Sequence, residues 1–530
     1  MFKRIDTLII LLIAAGIILR FHQLPSRQYW MIDEERDAFI VKKILVDKHP
    51  TLIGGALPGG FYLAPGYFYI SASLYFFSKL NPQTLGYVAA TSGILTIPLL
   101  FYITRRMFNR KTAFLAAFFY TFSYLTIIYN RTWWPLTFSP LITLATYYCL
   151  WRIVSQFQKS QKITLIWTLL LAIAIIIGLQ SDPSSLSLLV LTILIWFVFH
   201  LPIKIKQVII PTALVIFSHI PLVIFDLRHD FLNAKALLKF LTGGTGAGLN
   251  FDINTHFQTL LLIPRSMSRF IWVFGQKDVA SQIVPADFYI DAKFAAIPLA
   301  FLILMTVVLL LFLKKVASSK RQPAQLIIGA HLIVAALGIA LQNSLFGNWN
   351  YEWVIQILFP AYAIILAQFV ASFRHQVYKF FLPLLILYAV LSIVTVLKSP
   401  NSYNLADKMK ITQFIIASVG TSSFSLDSIG QNFALGGYRY LFYLHGKEPV
   451  KSYMDPLYAG WLYPKENLWQ RHPELVAVIV NREICSNLNC PQSLEFEKKY
   501  QSYLQKTIKK TKIGHIEALI VDNSDDWVNW

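Results

Sequence analysis

Residues 8–37 read LIILLIAAGIILRFHQLPSRQYWMIDEERD, an apolar run followed by a knot of charge. The first part, about Thr7 to Gln23, has the length and apolarity of a helix crossing a bilayer. Arg20-Phe21-His22 does not resemble a small-residue cleavage site, so the segment reads as an uncleaved first span. The second part, Met31-Ile32-Asp33-Glu34-Glu35-Arg36-Asp37, holds four carboxylates and one arginine in seven residues. Acids are scarce beyond it: none occurs between Asp47 and Asp182. A cluster of acids beside a membrane span, in a chain that otherwise excludes them, marks a candidate reaction centre.

The rest of the chain has the same character. Of its 530 residues 56% are hydrophobic, which excludes an ordinary soluble globular protein. The net charge of +20 would suggest nucleic acid if its distribution were ignored. Much of the excess sits in short acid-free loops: Lys3-Arg4, Arg105 to Lys111, Lys159 to Lys162, Lys204 to Lys206, Lys314 to Arg321, and Arg374 to Lys379. That is the pattern by which cytoplasmic loops orient helices, and it argues against a nucleic-acid partner.

These loops set the parity of a polytopic α-helical protein with about 11 spans. The N-terminus falls inside and the C-terminus outside. Span 1 is followed by a long outer loop, 24–83. In that loop the segment from Glu34 to Asp47 reads as an amphipathic surface helix. Gly54 to Gly60 reads as a flexible loop, and Ile70 to Phe77 as a short interfacial stretch. The further spans are about Leu85 to Thr104, Ala113 to Tyr129, a return to Ile153, Thr164 to Gln180, a return to His200, Val208 to Phe225, Phe294 to Leu313, Ala324 to Gln342, Trp353 to Ala371 and Phe380 to Leu397. A second long outer loop covers Asp226 to Lys293. From Asn401 the composition becomes that of a soluble α/β domain. Leu405 to Val419 looks helical, Val476 to Val480 and Ala518 to Val521 look like buried strands, and Leu494 to Lys509 looks like a polar helix. The expected domains are therefore 1–400, in the membrane, and 401–530, extracytoplasmic.

Several residues on the expected outer face suit chemistry on a substrate arriving from the lipid. Asp33 or Glu34 can deprotonate an acceptor hydroxyl. On a helix they point about 100° apart, so one would be the base and the other a metal ligand or a support. The competing reading is an acid capping the following helix. Glu35 and Asp37 read as the solvated start of that helix. Arg131 stands beside Trp133 and Trp134 and can grip a phosphate with two N–H groups, or anchor at the interface. Arg228 and His229 follow a span on the same face and can hold a second phosphate oxygen. Asp182, before Pro183, is a second-carboxylate candidate or a turn former. Tyr351 and Glu352 can contact a lipid-borne headgroup or anchor a span end. Cys149 reads as a core residue; Cys485 and Cys490 suit a local disulfide if their region is extracytoplasmic, and the competing metal reading needs more ligands than Cys-x4-Cys supplies. Gly243-Gly244-Thr245-Gly246 follows a helix-like segment and makes a poor phosphate cradle.

A first span, an Asp33-Glu34 pair in the first outer loop, then Leu63-Ala64-Pro65-Gly66-Tyr67-Phe68-Tyr69, an outer turn at Arg131 and Phe225-Asp226-Leu227-Arg228-His229 together resemble the GT-C-fold membrane glycosyltransferases. The similarity is closest to the bacterial branch related to protein mannosyltransferases and the lipid A aminoarabinose transferases, and it covers about residues 1 to 400. The resemblance implies a polyprenyl-phosphate-linked sugar donor and an inverting transfer at the outer face of the bacterial inner membrane. The acceptor would be a lipid-linked glycan, an envelope polymer or a protein. Asp33 would be the base. Some members use a divalent metal, for which Glu34 is the candidate ligand here, and others need none. Trp133-Trp134-Pro135-Leu136 stands where relatives often carry an acid, and Leu63-Ala64 where they often carry Lys or His. The alternative function is a transporter or flippase for a lipid-linked glycan, which requires ionisable residues along a path through the spans.

Overall fold

Helices dominate, and each stretch read as a span is helical. The computed structural model describes residues 7–57, 59–203, 205–242, 253–272, 296–318, 322–346, 352–373, 375–398, 401, 403–430, 436–455, 473–481 and 493–524. Tyr351, Cys485, Cys490 and the Gly243 to Gly248 tract lie outside them. The chain forms two compact units. The larger comprises Met1–His22, Thr51–Tyr69 and Val88–Ser399, and the smaller comprises Gln23–Pro50, Ile70–Tyr87 and Pro400–Trp530.

Among the described residues five helices are long and apolar enough to cross a membrane: Pro82–Met107, Leu299–Ser318, Pro323–Ser344, Glu352–Ala371 and Phe380–Lys398. Ile205–Ser218 and Ile220–Arg228, bent by 46° at His219, make a sixth if taken as one span. The other expected spans are helices that fall short of that measure, including Thr7–Phe21, Leu165–Leu179 and Leu186–Val198. The segment expected to run from Ala113 to Tyr129 is broken. Ser123 leaves helical geometry and its Oγ accepts the Thr126 N–H, so Arg110–Phe122 ends and a short helix, Tyr124–Tyr129, begins.

Burial sorts these helices. The Glu352–Ala371 segment is 89% buried and lies along Arg110–Phe122, so its apolar residues face protein on all sides. Phe380–Lys398 and Leu299–Ser318 are only 11% and 17% buried. Their outward Leu, Ile and Val side chains form the kind of surface that lipid covers. Cys149 lies in the core, as expected. The stretch expected as the second long outer loop contains, among the described residues, two helices, Leu232–Leu241 and Ile253–Ile271. The latter buries Leu262, Ile263, Met267 and Phe270 in the core. The glycine-rich loop, expected to be flexible, carries a two-residue hairpin of β1 (Ala56–Leu57) and β2 (Phe61–Tyr62).

The smaller unit is built on a four-stranded sheet of β3 (Phe424–Ile429), β4 (Leu475–Asn481), β5 (Thr507–Ile513) and β6 (Ile516–Asp522), in the order β3-β4-β6-β5. β3 and β4 are parallel; the other pairs are antiparallel. Ala477, Ile479, Ala518 and Ile520 pack with Ile411 and Ile415 of the helix Leu405–Val419. Val476, Val478, Val480, Leu519 and Val521 pack with Tyr500 and Tyr503 of the helix Ser493–Gln505. Both faces are covered, which is why β4 and β6 read as continuous apolar runs. The expected helix from Leu494 to Lys509 stops at Gln505, because the lysine-rich stretch after it pairs with β6 as β5.

Candidate active site

The acidic stretch forms the first turn of a helix, Ile32–Leu45, in the smaller unit. No Ser, Thr, Asn or Asp stands at its N-cap. Met31 occupies that position, and the Glu34 carboxylate at N3 reaches back to accept the Met31 N–H at 2.9 Å. Glu34 is 8% exposed. Burial, with the neighbouring Asp33 charge, pushes its carboxyl up to about 7 despite that hydrogen bond.

Glu35 and Asp37 are corrections to the expectation of a solvated start: both are buried. Glu35 is fully withdrawn, and its two oxygens accept the N–H groups of Gly437 at 2.8 Å and Tyr440 at 2.9 Å. These are donors at the start of the helix Tyr438–Leu444, which Glu35 therefore caps. Gly437 has φ +100°, and a Cβ there would meet Trp30, whose Nε1 donates to the Gly437 carbonyl at 2.6 Å. Lys408, also buried, donates to the Gly436 carbonyl. Burial lowers its ammonium to about 7, with the charges of Glu35 and Glu34 acting in the other direction. Burial likewise raises Glu35.

Asp33 differs from its neighbours, since its side chain is 48% exposed. Arg36, one turn on, donates to Asp33 Oδ1 at 2.8 Å and to Asp37 Oδ1 at 2.8 Å. Asp33, Arg36 and Asp37, at i, i+3 and i+4, thus share one helix face, and the acid beside Asp33 on that face is Asp37, not Glu34.

The remaining candidates lie in the larger unit. Arg131 is 2% exposed, and its Nη2 donates to the Leu19 carbonyl at 2.6 Å. Its neighbour Asn130 accepts Arg20 Nε at 3.0 Å. Arg20 is fully buried and also reaches the Tyr120 and Thr121 carbonyls and Thr126 Oγ1. A Cβ on Gly93 would lie 2.2 Å from Asn130 Oδ1, so glycine is required for this approach. Residues 130–131 are thereby braced against the first helix. Trp133 stacks on Tyr67, and Trp134 on Tyr129. Asp182 caps the 3-10 turn Pro183–Ser185 by accepting the Ser184 N–H at 2.8 Å, and burial raises its carboxyl. That turn lies against Glu352–Leu358. Glu352 is buried and ion-paired with Arg269 at 2.5 Å, and it takes a hydrogen bond from Tyr129.

The structure therefore brings together Tyr67, the turn around Arg131, the Asp182 turn, and Glu352. Arg228 and His229 belong to another cluster. His229 stacks on Phe225, Phe225 packs on Tyr62 of β2, and Asp226 caps the helix Leu232–Leu241 through the N–H groups of Asn233 and Ala234. Arg228 and His229 are exposed. Sequence reasoning passed over Arg269, Arg20, Asn130 and Lys408. The one signal available was their cost: a charge in or beside an apolar segment needs a partner.

Among the described residues no three His, Cys, Asp or Glu side chains are grouped to hold a metal ion. Glu34, the candidate ligand, spends one carboxylate oxygen on the Met31 N–H.

The chain shares its fold with solved structures of ArnT, in agreement with the fold that the resemblance implied. The chain is similar to the crystal structure of ArnT from Cupriavidus metallidurans in the apo state, with a TM-score of 0.56, 11% identity and 97% of each chain covered. It is also similar to the structure of that ArnT bound to undecaprenyl phosphate, with a TM-score of 0.53, 11% identity and 98% of each chain covered. No family model matches the sequence, and no curated protein matches it.

Proposed function

We propose that this protein transfers a sugar from a polyprenyl-phosphate-linked donor to a hydroxyl acceptor at the outer face of a bacterial inner membrane, with its N-terminus cytoplasmic and about 11 passes through the bilayer. The observation that carries this reading is the half-exposed Asp33 carboxylate, which follows a first span in the sequence, in a chain whose fold matches ArnT over almost its full length. The undecaprenyl phosphate bound to that ArnT supports a lipid-carried donor of the same kind here.

In this mechanism Asp33 takes the proton of the acceptor hydroxyl as its oxygen attacks the anomeric carbon. The bond from that carbon to the phosphate oxygen breaks, its electron pair leaves with the polyprenyl phosphate, and a single displacement inverts the anomeric centre. Arg36 holds the Asp33 carboxylate on its helix face, and Glu34, at N3, keeps the turn that carries it in place. Arg228 and His229, exposed, meet the phosphate. Arg131 supports the same task by fixing its turn to the first helix. Glu352, with Arg269, and Asp182 hold the neighbouring loop ends, and Tyr351 is kept from the sequence as a headgroup contact. The domains are taken as 1–400 for transfer and 401–530 for an extracytoplasmic α/β module.

The test is to incubate purified protein with radiolabelled polyprenyl-phosphate sugars and an envelope extract, and to score release of carrier phosphate. Asp33→Asn should abolish transfer while the protein still expresses and folds. Wild-type rates in that variant would overturn the assignment. Movement of intact donor across vesicles, without cleavage, would point instead to a flippase.

A further inference from the structure

The larger unit contains a cavity of about 500 Å³ that the transfer reaction leaves unused. It lies where Pro82–Met107 and Phe359–Ala371 end and where Arg110–Phe122 and Pro323–Phe346 begin. Its floor is nearly withdrawn from solvent: Thr112 is 2% exposed, Gln325 3% and Gln368 8%. Trp151 supplies an aromatic wall and Lys315 a cation, and among the described residues no carboxylate lines it. The sequence explains the missing acids, since the adjoining loops Arg105 to Lys111 and Lys314 to Arg321 contain none.

Two polar atoms on this floor are buried without a partner among the described residues: Gln368 Nε2, a donor, and Gln325 Oε1, an acceptor. Lys315 Nζ donates to Gln368 Oε1 at 3.4 Å, which orients that amide with its NH₂ unspent. Asn109 spends its side-chain oxygen on the Thr112 N–H at 2.9 Å, so that helix start is satisfied. Ala324 and Gln325 are in the first turn of the other helix, where backbone N–H groups lack intrahelical acceptors and the dipole is positive. A lysine, an unspent amide donor and a helix N-terminus together call for an anion. The unspent Gln325 oxygen calls for a hydroxyl. Buried polar atoms left unmatched are costly, so a ligand offering both groups stabilises the cavity.

We propose that this cavity binds a phosphate ester bearing free hydroxyls, with the phosphate on Lys315 and Gln368 Nε2 and a hydroxyl on Gln325 Oε1. The glycerol phosphate group has this chemistry, and it can come from a phospholipid headgroup or from a soluble ester. The site stands apart from Asp33 chemistry and does not depend on the proposed transfer.

The experiment uses full-length protein in detergent, offered phosphatidylglycerol and phosphatidylcholine in equal amounts, with retained lipid counted by native mass spectrometry. Phosphatidylglycerol should be retained about tenfold or more over phosphatidylcholine. Lys315→Gln combined with Gln368→Leu should bring it to the phosphatidylcholine level, whereas Lys315→Arg should keep it. A parallel titration of phosphatidylcholine nanodiscs with soluble glycerol 3-phosphate identifies the source. Binding of the soluble ester, lost in the same double variant, assigns the site to a free metabolite. If neither probe binds better than phosphatidylcholine, or if the double variant binds like the wild type, the proposal is overturned. The exposed Lys315 side chain makes Lys315→Gln alone a variant expected to fold, and it should already weaken binding.

Discussion

The acidic turn at residues 33–37 and the arginine brace at residues 20 and 131 handle charge in opposite ways. The acidic turn withdraws Glu34, Glu35 and Asp37 and leaves Asp33 half exposed. The brace buries both arginines and gives them carbonyl, amide and hydroxyl oxygens as partners. A buried charge with fixed partners is a structural element, because moving it would leave several polar groups unsatisfied. An exposed one that a single neighbour steadies is free to exchange a proton with a substrate. Under the proposed function, exposure rather than charge density would separate the chemistry from the scaffolding.

The strongest way to break this contrast is Asp33→Asn. Removing a general base should lower the transfer rate by about 10²–10⁴-fold. The melting temperature should hold, since an exposed ion pair such as that with Arg36 contributes at most about 1 kcal/mol. A large stability loss would place Asp33 with the scaffolding. Arg20→Leu should do the reverse, costing about 3 kcal/mol by removing its buried hydrogen bonds to Asn130, Thr126 and the Tyr120 and Thr121 carbonyls, as read by thermal unfolding in detergent. Glu35→Gln should cost about 2 kcal/mol, since one of its two charged acceptors is lost. A smaller effect, about 1 kcal/mol, is expected for Asp182→Ala, which removes a turn cap.

A pH series sharpens the comparison further. Glu34 has its folded-state carboxyl raised to about 7 from an ordinary 4.5. The folded state therefore binds more protons than the unfolded state within that window. Its stabilising contribution is full below about 4.5 and is lost as pH rises through about 7. Glu34→Gln should flatten that decline in unfolding midpoint. An unchanged slope would show that Glu34 is not the group responsible.

The helical class and the places of β4 and β6 were legible, because long apolar runs and covered strands announce themselves. β3 was not: Phe424–Ile429 carries Ser425, Asp427 and Ser428, all buried, and so lacks an apolar run. Only the start of β5, up to Lys509, falls in the expected helix, and the rest carries no strand signal because Lys509, Lys510 and Lys512 are exposed at a sheet edge, where lysines discourage further strand pairing. In the acidic stretch, position was legible and burial was not. Glu35 is spent on Gly437 and Tyr440, partners that nothing local to Glu35 could announce. Arg269 escaped notice for the same reason, since its partner Glu352 is 83 residues away.

The Glu35 cap also bears on biogenesis. It joins groups 402 and 405 positions apart, so it closes only after most of the chain has been synthesised and residues 437–440 have been delivered to the same side as the acidic helix. Contacts of such sequence separation form late, after the loop entropy has been overcome. Newly inserted chains thus carry an unfinished acidic helix, with Glu35 uncapped, until translation nears its end. Maturation of the proposed base is in this way tied to completion of the C-terminal part, and a nascent chain stalled before residue 437 would expose the carboxylates without the framework that sorts them.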